Sequence, residues 1–252
     1  MGVPILLQEQ NGFAGVTNKL LKDDAAVICV AYEGMERFFP KEKIVFTGNP
    51  VRADIEQMNV TTAEGRAHFG LEAEGRVLLS VGGSLGARSI NEMIISHLHF
   101  FRENNIQLLW QTGRWMYDEA VAAVEQAQAS QWVKVHQFIS RMDMAYAAAD
   151  IVVSRAGAIA ISELCLVGKP VVLIPSPNVA EDHQTKNALA LVDRGAAVMV
   201  KDVECNSQGL AAVKDIFDAP ERQEAMCAAI SKMAVRNAAD KIVDQIENLI
   251  NR

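Results

Sequence analysis

Short apolar runs alternate with segments of helical spacing along most of this chain, and that alternation implies a parallel, doubly wound α/β sheet. The strand-like runs are Pro4 to Leu7, Ala26 to Val30, Ile44 to Phe46, Val77 to Val81, Gln107 to Trp110, Val133 to His136, Ile151 to Val153, Val171 to Ile174 and Ala197 to Val200. Past Asp202 the pattern becomes wholly helical, with candidates at Ser207 to Phe217, Pro220 to Met233 and Ala238 to Ile250. With 252 residues, half of them hydrophobic, the chain can bury one large core or two small ones.

The opening strands stand apart. Only Pro4 to Leu7, Ala26 to Val30 and Ile44 to Phe46 precede Thr47-Gly48-Asn49-Pro50 and the polar run Asn59 to Glu64. An open sheet with helices on both faces usually needs more strands than that. The opening is therefore expected to be the end of a domain whose earlier part the chain lacks, with an unpaired strand edge near Leu6. The alternative is that these strands join the edge of the main sheet.

Two strand-loop-helix units carry the candidate chemistry. Ile151 to Val153 has the length and β-branching of a buried parallel strand. Ser154-Arg155-Ala156-Gly157 then turns into the helical segment Ala158 to Val167. The unpaired N–H groups and positive dipole end of that helix offer an anion site, read here as one for a diphosphate. Glu163 falls about one turn into the helix, where a carboxylate can accept hydrogen bonds from vicinal ribose hydroxyls. An ordinary strand-turn-helix with a solvated acid at Glu163 fits this segment alone equally well. The second unit runs from Val77 to Val81 through Gly82-Gly83-Ser84-Leu85-Gly86 into Ala87 to Leu98. Its glycine loop also fits a nicotinamide or flavin dinucleotide, but that chemistry wants an acid at the end of the next strand. The next strand ends in Gln111-Thr112-Gly113.

Charge narrows the partners. The chain has 24 basic and 31 acidic residues, net −7, without a Lys/Arg run, which argues against nucleic acid and against an electrostatic anchor on an anionic membrane. The start of the chain does not read as a signal peptide and no apolar stretch is long enough to cross a bilayer, so a cytosolic setting is expected. Cys29, Cys165, Cys205 and Cys227 are scattered, forming neither a zinc pattern nor a disulfide framework, and are expected as reduced thiols.

Five separated segments share order and spacing with one family. Gln8-Glu9-Gln10-Asn11-Gly12-Phe13-Ala14-Gly15, Gly48-Asn49-Pro50-Val51-Arg52, Gly82 to Arg88, Ser154 to Glu163, and His183-Gln184-Thr185-Lys186-Asn187-Ala188 together resemble the MurG family of peptidoglycan glycosyltransferases. The resemblance implies a GT-B fold, with two Rossmann-like domains facing a cleft. Residues 1–45 would be the remnant of the acceptor-binding domain, 46–235 the UDP-sugar-binding domain and 236–252 a C-terminal helix. It implies transfer of N-acetylglucosamine from UDP-N-acetylglucosamine to undecaprenyl-diphospho-muramoylpentapeptide, with inversion, at the cytoplasmic face of the bacterial inner membrane. A donor-binding module that needs a separate acceptor-domain chain, or another UDP-sugar enzyme of the same fold, are the alternatives.

Family roles carry over residue by residue. Asn11 would reach the sugar and Arg52 the diphosphate, while Ser84 would contact phosphate. Ile139 would meet uracil through its backbone. Ala158, Ile159, Ala160, Ile161 and Ser162 would supply contacts to diphosphate and sugar, Glu163 would take the ribose hydroxyls, and Gln184 and Asn187 would bind sugar hydroxyls. Taken alone, Asn11 reads as a turn cap, Arg52 as a surface ion pair, Ser84 as a helix cap, Ile139 as core, and Gln184 with Asn187 as a solvated helix face. Glu181 and Asp182 read as first-turn acids of the helix that follows them. The five histidines are scattered and none is assigned to catalysis; the general base stays unidentified. No Asp-x-Asp pair is present to hold a cation at the diphosphate, so no metal and no other cofactor is expected. Replacing Glu163 with Ala is expected to weaken UDP binding by roughly 1–3 kcal/mol, the scale for hydrogen bonds to a charged acceptor. Calorimetric titration with UDP checks it, and an unchanged affinity removes Glu163 from the site.

Overall fold

A computed structural model describes residues 3–251. Met1 and Gly2, which open the first expected domain, and Arg252, which ends the expected C-terminal helix segment, lie outside the described residues. The strands divide between two parallel sheets. In the first, β1 (Leu6–Glu9), β2 (Val27–Val30) and β3 (Ile44–Phe46) lie in sequence order. In the second, β4 (Arg76–Val81), β5 (Ile106–Gln111), β6 (Val133–His136), β7 (Ile151–Ser154), β8 (Val171–Leu173) and β9 (Val198–Met199) adopt the order β6-β5-β4-β7-β8-β9.

The opening strands thus form a sheet of their own. β3 pairs with β2 from Ile44 to Phe46, so the boundary expected between residues 45 and 46 falls inside a strand of the first sheet. β1 begins two residues later than the apolar run that marked it. Its register with β2 carries Gln8 and Glu9 into the strand, because the Glu9 carboxylate finds hydrogen-bond donors in the loop beyond. Among the described residues the outer edge of β1 has no strand partner.

Helices cover the strands in the order α1 (Val16–Leu21), α2 (Ala53–Glu56), α3 (Thr62–His68), α4 (Arg88–Ser96), α5 (Leu98–Glu103), α6 (Tyr117–Gln126) and α7 (Met142–Ala148). Then follow α8 (Ala158–Val167), α9 (His183–Val192), α10 (Cys205–Phe217), α11 (Pro220–Ser231) and α12 (Ala238–Ile250). The single helix expected over Ala87 to Leu98 divides at His97, whose backbone leaves helical geometry and whose ring nitrogen lies 2.9 Å from the Met93 carbonyl.

The period-two geometry of a strand explains the two cores of the larger sheet. Leu78, Leu108, Trp110, Ile151, Val153 and Val172 point to the face covered by α4, α6 and α10. Leu79, Leu109, Val152, Val171 and Leu173 point to the opposite face, under α7, α8 and α9. A third, smaller core around Leu7, Ile28, Val30 and Phe39 supports the first sheet. Cys29, Cys165 and Cys205 are buried and all four cysteines are free thiols.

At the amino end of the larger sheet, Asp150 accepts from the Val77 N–H at 2.7 Å and pairs with buried Arg66 at 3.0 Å. Arg66 also donates to the Ala148 and Ala73 carbonyls, so this cluster sets the start of β4 beside the start of β7. Just above it, α3 lies so close to α7 that a Cβ on Gly65 would come within 2.5 Å of the Met144 carbonyl oxygen and 2.7 Å of the Ala148 nitrogen. Gly65→Ala must push the helices apart. We expect a loss of about 1–3 kcal/mol, the usual scale of overpacking, read as a lower denaturant midpoint.

Candidate functional site

The order of the larger sheet has a switch point between β4 and β7, from which connections leave in opposite directions and open a crevice at the carboxyl edge. Both loops singled out in the sequence lie there. After β4, Gly86 at φ 93° packs against the turn that follows β5: a Cβ on Gly86 would meet the Thr112 carbonyl at 2.2 Å. Only glycine fits. Ala87 is the residue before α4, so Ser84 is not its cap; Ser84 is exposed on the loop, its carbonyl accepting from the Arg114 N–H at 3.1 Å. After β7, Arg155 is anchored to Asp202, Ser89 and the Ile174 carbonyl, which fixes the turn leading into α8. Gly157 precedes α8 in extended geometry and no side chain caps that helix. The first-turn amides of Ala158, Ile159 and Ala160 therefore sit at the crevice without a capping side chain, an arrangement suited to an anion.

Glu163 lies on α8 with its side chain 12% exposed. Tyr146, on α7, donates its phenolic O–H to Glu163 Oε2 at 3.1 Å, and the Arg52 guanidinium stands 3.6 Å from Oε1. Arg52 also pairs with Asp54 at 3.5 Å. The residue expected at the ribose and the residue expected at the diphosphate, groups that adjoin in a nucleoside diphosphate, are thus neighbours. Burial pushes the Glu163 carboxyl above the usual carboxylate range, while Arg52 and the Tyr146 hydrogen bond pull it back and Asp54 adds to the rise.

A second cluster joins the two sheets. Asn187, fully buried on α9, accepts from the Gly12 N–H at 3.0 Å and donates to Asn11 Oδ1 at 3.1 Å and to the Ala156 carbonyl at 3.3 Å. Glu9, 3% exposed, shapes that loop by accepting from the Asn11 and Gly15 N–H groups and from Asn18. Asn49, buried in the linker between sheets, donates to the Gln10 carbonyl and to Ser162 Oγ. Ser162 in turn donates to the Ala158 carbonyl at 3.0 Å. Asn11, Asn187 and Ser162 are therefore engaged with each other's segments, at the back of the turn that opens α8.

Gln184 accepts from the Ser176 N–H at 2.9 Å, which fixes its amide with the nitrogen as the remaining donor. Glu181 and Asp182 precede α9 in left-handed backbone geometry, φ 54° and 51°, rather than forming its first turn as expected. Asp182 accepts from the Thr185 hydroxyl, and Lys19 reaches Glu181 from α1. Ile139 is buried after β6, and its N–H donates to Gln111 Oε1 at 2.8 Å, so its carbonyl is the group left for a base edge.

A cavity of about 1020 Å³ lies between the sheets, lined in part by Phe13, Tyr32, Phe46, Ile161, Cys165 and Met233. Ile161, Ser162 and Cys165 face it from α8. Glu163 projects from the other side of that helix, about 150° away by helical geometry, toward α2 and α7. Glu163 is not among the residues that line the cavity.

Sequence reasoning missed Tyr146, Gln111, Glu9 and Asn49. Polar residues at the carboxyl ends of buried strands were a usable signal for Gln111 and Glu9. Nothing local distinguishes Tyr146 from core.

These features define a class. The glycosyltransferase family 28 C-terminal domain matches residues 77–242. A UDP-N-acetylglucosamine--N-acetylmuramyl-(pentapeptide) pyrophosphoryl-undecaprenol N-acetylglucosamine transferase of Parabacteroides distasonis is 53% identical over all of this chain and 68% of its own length. Its counterpart in Bacteroides thetaiotaomicron is 48% identical over 99% of the chain and 67% of its own. The Acinetobacter baumannii MurG crystal structure superposes with a TM-score of 0.79 at 30% identity, over 98% of this chain and 67% of that one. A Staphylococcus aureus MnaA–UDP structure, at 14% identity and a TM-score of 0.66 over 94% and 64% of the two chains, shares the fold. The fold is GT-B, and the chain belongs to the MurG family of glycosyltransferases, spanning about two thirds of the length of these relatives.

The ionised carboxylate is the stronger acceptor for ribose hydroxyls. Glu163 carries a raised pKa, so the charged form fills later on going up in pH than an ordinary Glu. UDP affinity is expected to rise with pH through that raised pKa and level off above it. Titrations across the acid range check this, and Glu163→Gln should flatten the profile.

Proposed function

We propose that this chain binds UDP-N-acetylglucosamine in the switch-point crevice and serves transfer of the sugar to undecaprenyl-diphospho-muramoylpentapeptide. The supporting observation is the pairing of Glu163 with Arg52 beside the uncapped start of α8. In this reading the ribose hydroxyls bond Glu163 and the diphosphate lies against the first turn of α8 and the loop that carries Ser84. Gln184 donates to a sugar hydroxyl through its free amide nitrogen. Asn11, Asn187 and Ser162 hold the turn that faces the sugar.

The reaction is attack by the acceptor 4-hydroxyl on the anomeric carbon with inversion, forming a β-1,4 bond while the bond to UDP breaks. The hydroxyl proton passes to a base that the present residues do not identify. The leaving diphosphate gains negative charge in the transition state. Helix amides and the Arg52 guanidinium stabilise that charge electrostatically, and a metal is not part of the proposal. Among the described residues no helix is long and apolar enough to cross a membrane. From the lipid-linked acceptor we propose work at a membrane surface, peripherally at the cytoplasmic face of the bacterial inner membrane.

Calorimetric titration with UDP-N-acetylglucosamine, alongside UDP-glucose and NAD and without added metal, tests the donor assignment. Selective binding of the first supports it; binding of NAD overturns it. Turnover with the lipid-linked acceptor, with and without an added acceptor-domain chain, separates an enzyme from a donor-binding module. For Arg52→Ala, kcat is expected to fall more than donor affinity, because the charge it meets grows during reaction. Equal losses would indicate ground-state binding only.

A further inference from the structure

Tyr146 is a buried phenol, 3% exposed, on a helix that supplies no other side chain to the candidate site. Among the described residues its hydroxyl has one partner, Glu163 Oε2, at 3.1 Å. The ring belongs to the buried core that also holds Ile139, Met142, Ala145 and Leu164. The other carboxylate oxygen, Oε1, faces Arg52 at 3.6 Å, an ion-pair separation longer than a hydrogen bond. One oxygen of Glu163 is thus pinned by a rigid neutral donor, while the other keeps its lone pairs for a ligand.

We infer that Tyr146 is a positioning residue for recognition of the nucleotide ribose, holding the Glu163 carboxylate in the rotamer that accepts the ribose hydroxyls. This rests on the reading that Glu163 binds the ribose. A glutamate side chain has several rotors, and an unpinned one loses that freedom only when ligand binds. The Tyr146 bond removes the freedom beforehand. Burial keeps the phenol well above its usual pKa, so it remains a donor wherever the protein is folded near neutral pH. The charged and titratable groups facing Glu163 are Arg52 and Asp54 from the α2 segment and Tyr146 from α7. Removing the phenol therefore leaves the carboxylate with less support for its charge.

The test compares the chain with Y146F, E163Q and the double variant, titrating each with UDP and with 2′,3′-dideoxy-UDP, which lacks both ribose hydroxyls. Y146F should lose about ten-fold in UDP affinity, the scale of one hydrogen bond to a charged acceptor, and keep its dideoxy-UDP affinity. The acid limb of UDP binding should move to higher pH. The double variant should bind UDP no worse than E163Q, because the two residues act through one contact. Equal weakening toward both ligands, or additive losses in the double variant, would overturn the inference and leave Tyr146 a packing residue. If the unaltered chain binds UDP and dideoxy-UDP equally, the ribose reading of Glu163 fails and the inference with it. Absence of any UDP binding would instead bring down the donor-site assignment itself.

Discussion

Two neighbouring parallel strands, β4 and β7, hold the site together. Their amino ends are clamped by the Arg66–Asp150 pair, which satisfies the Val77 N–H as well, and their carboxyl ends release loops whose helices cover opposite faces of the sheet. Because Arg66 is buried, losing Asp150 is costly: the guanidinium left alone keeps its desolvation penalty. The crevice follows from that divergence: Ser84 and the start of α8 face each other only because the two strands are adjacent and end together.

The smaller sheet is tied to this crevice by amides rather than by a shared apolar core. Asn187 and Asn49 each bond groups on both sides of the junction, and their partners on the larger sheet are Ala156 and Ser162, at the turn into α8 and in its second turn. Any movement of the Gln10 to Gly12 loop therefore bears on the turn that presents the helix amides. The amide proposed to bind the sugar and the amides that join the two sheets are the same class of side chain. What distinguishes Gln184 from Asn187 is a free donor: Gln184 keeps its nitrogen, whereas Asn187 has both donor hydrogens engaged.

Much of this was legible in the chain itself. β3, β6, α8 and α12 have the limits that their apolar spacing indicates, since each is bounded by residues that end the pattern. The strand at Leu6 begins later than its apolar run because hydropathy does not register Glu9, whose burial is made possible by the Asn11 and Gly15 N–H groups of the following loop and the Asn18 side-chain amide on α1. The acids at Glu181 and Asp182 were misread because an acid before an apolar helix resembles a first-turn acid. A left-handed backbone holds them outside it, with Glu181 paired to Lys19 and Asp182 accepting from the Thr185 hydroxyl. The opening strands could have joined the main sheet on spacing alone, and their separate pairing is a tertiary fact.

The doubly wound fold class, the glycine turn after β4 and the family were already set by the chain's residues, because these depend on local periodicity, on a backbone position at Gly86 that only glycine can occupy, and on motifs in fixed order. The tertiary structure alone decided which polar groups meet: that Arg52 lies against Glu163, that Tyr146 pins the same carboxylate, and that Asn187 joins two sheets instead of facing solvent. The physical reason is that a hydrogen bond between residues far apart in the chain leaves no periodic trace, since its strength depends on distance, angle and burial, none of which a residue's own neighbours fix.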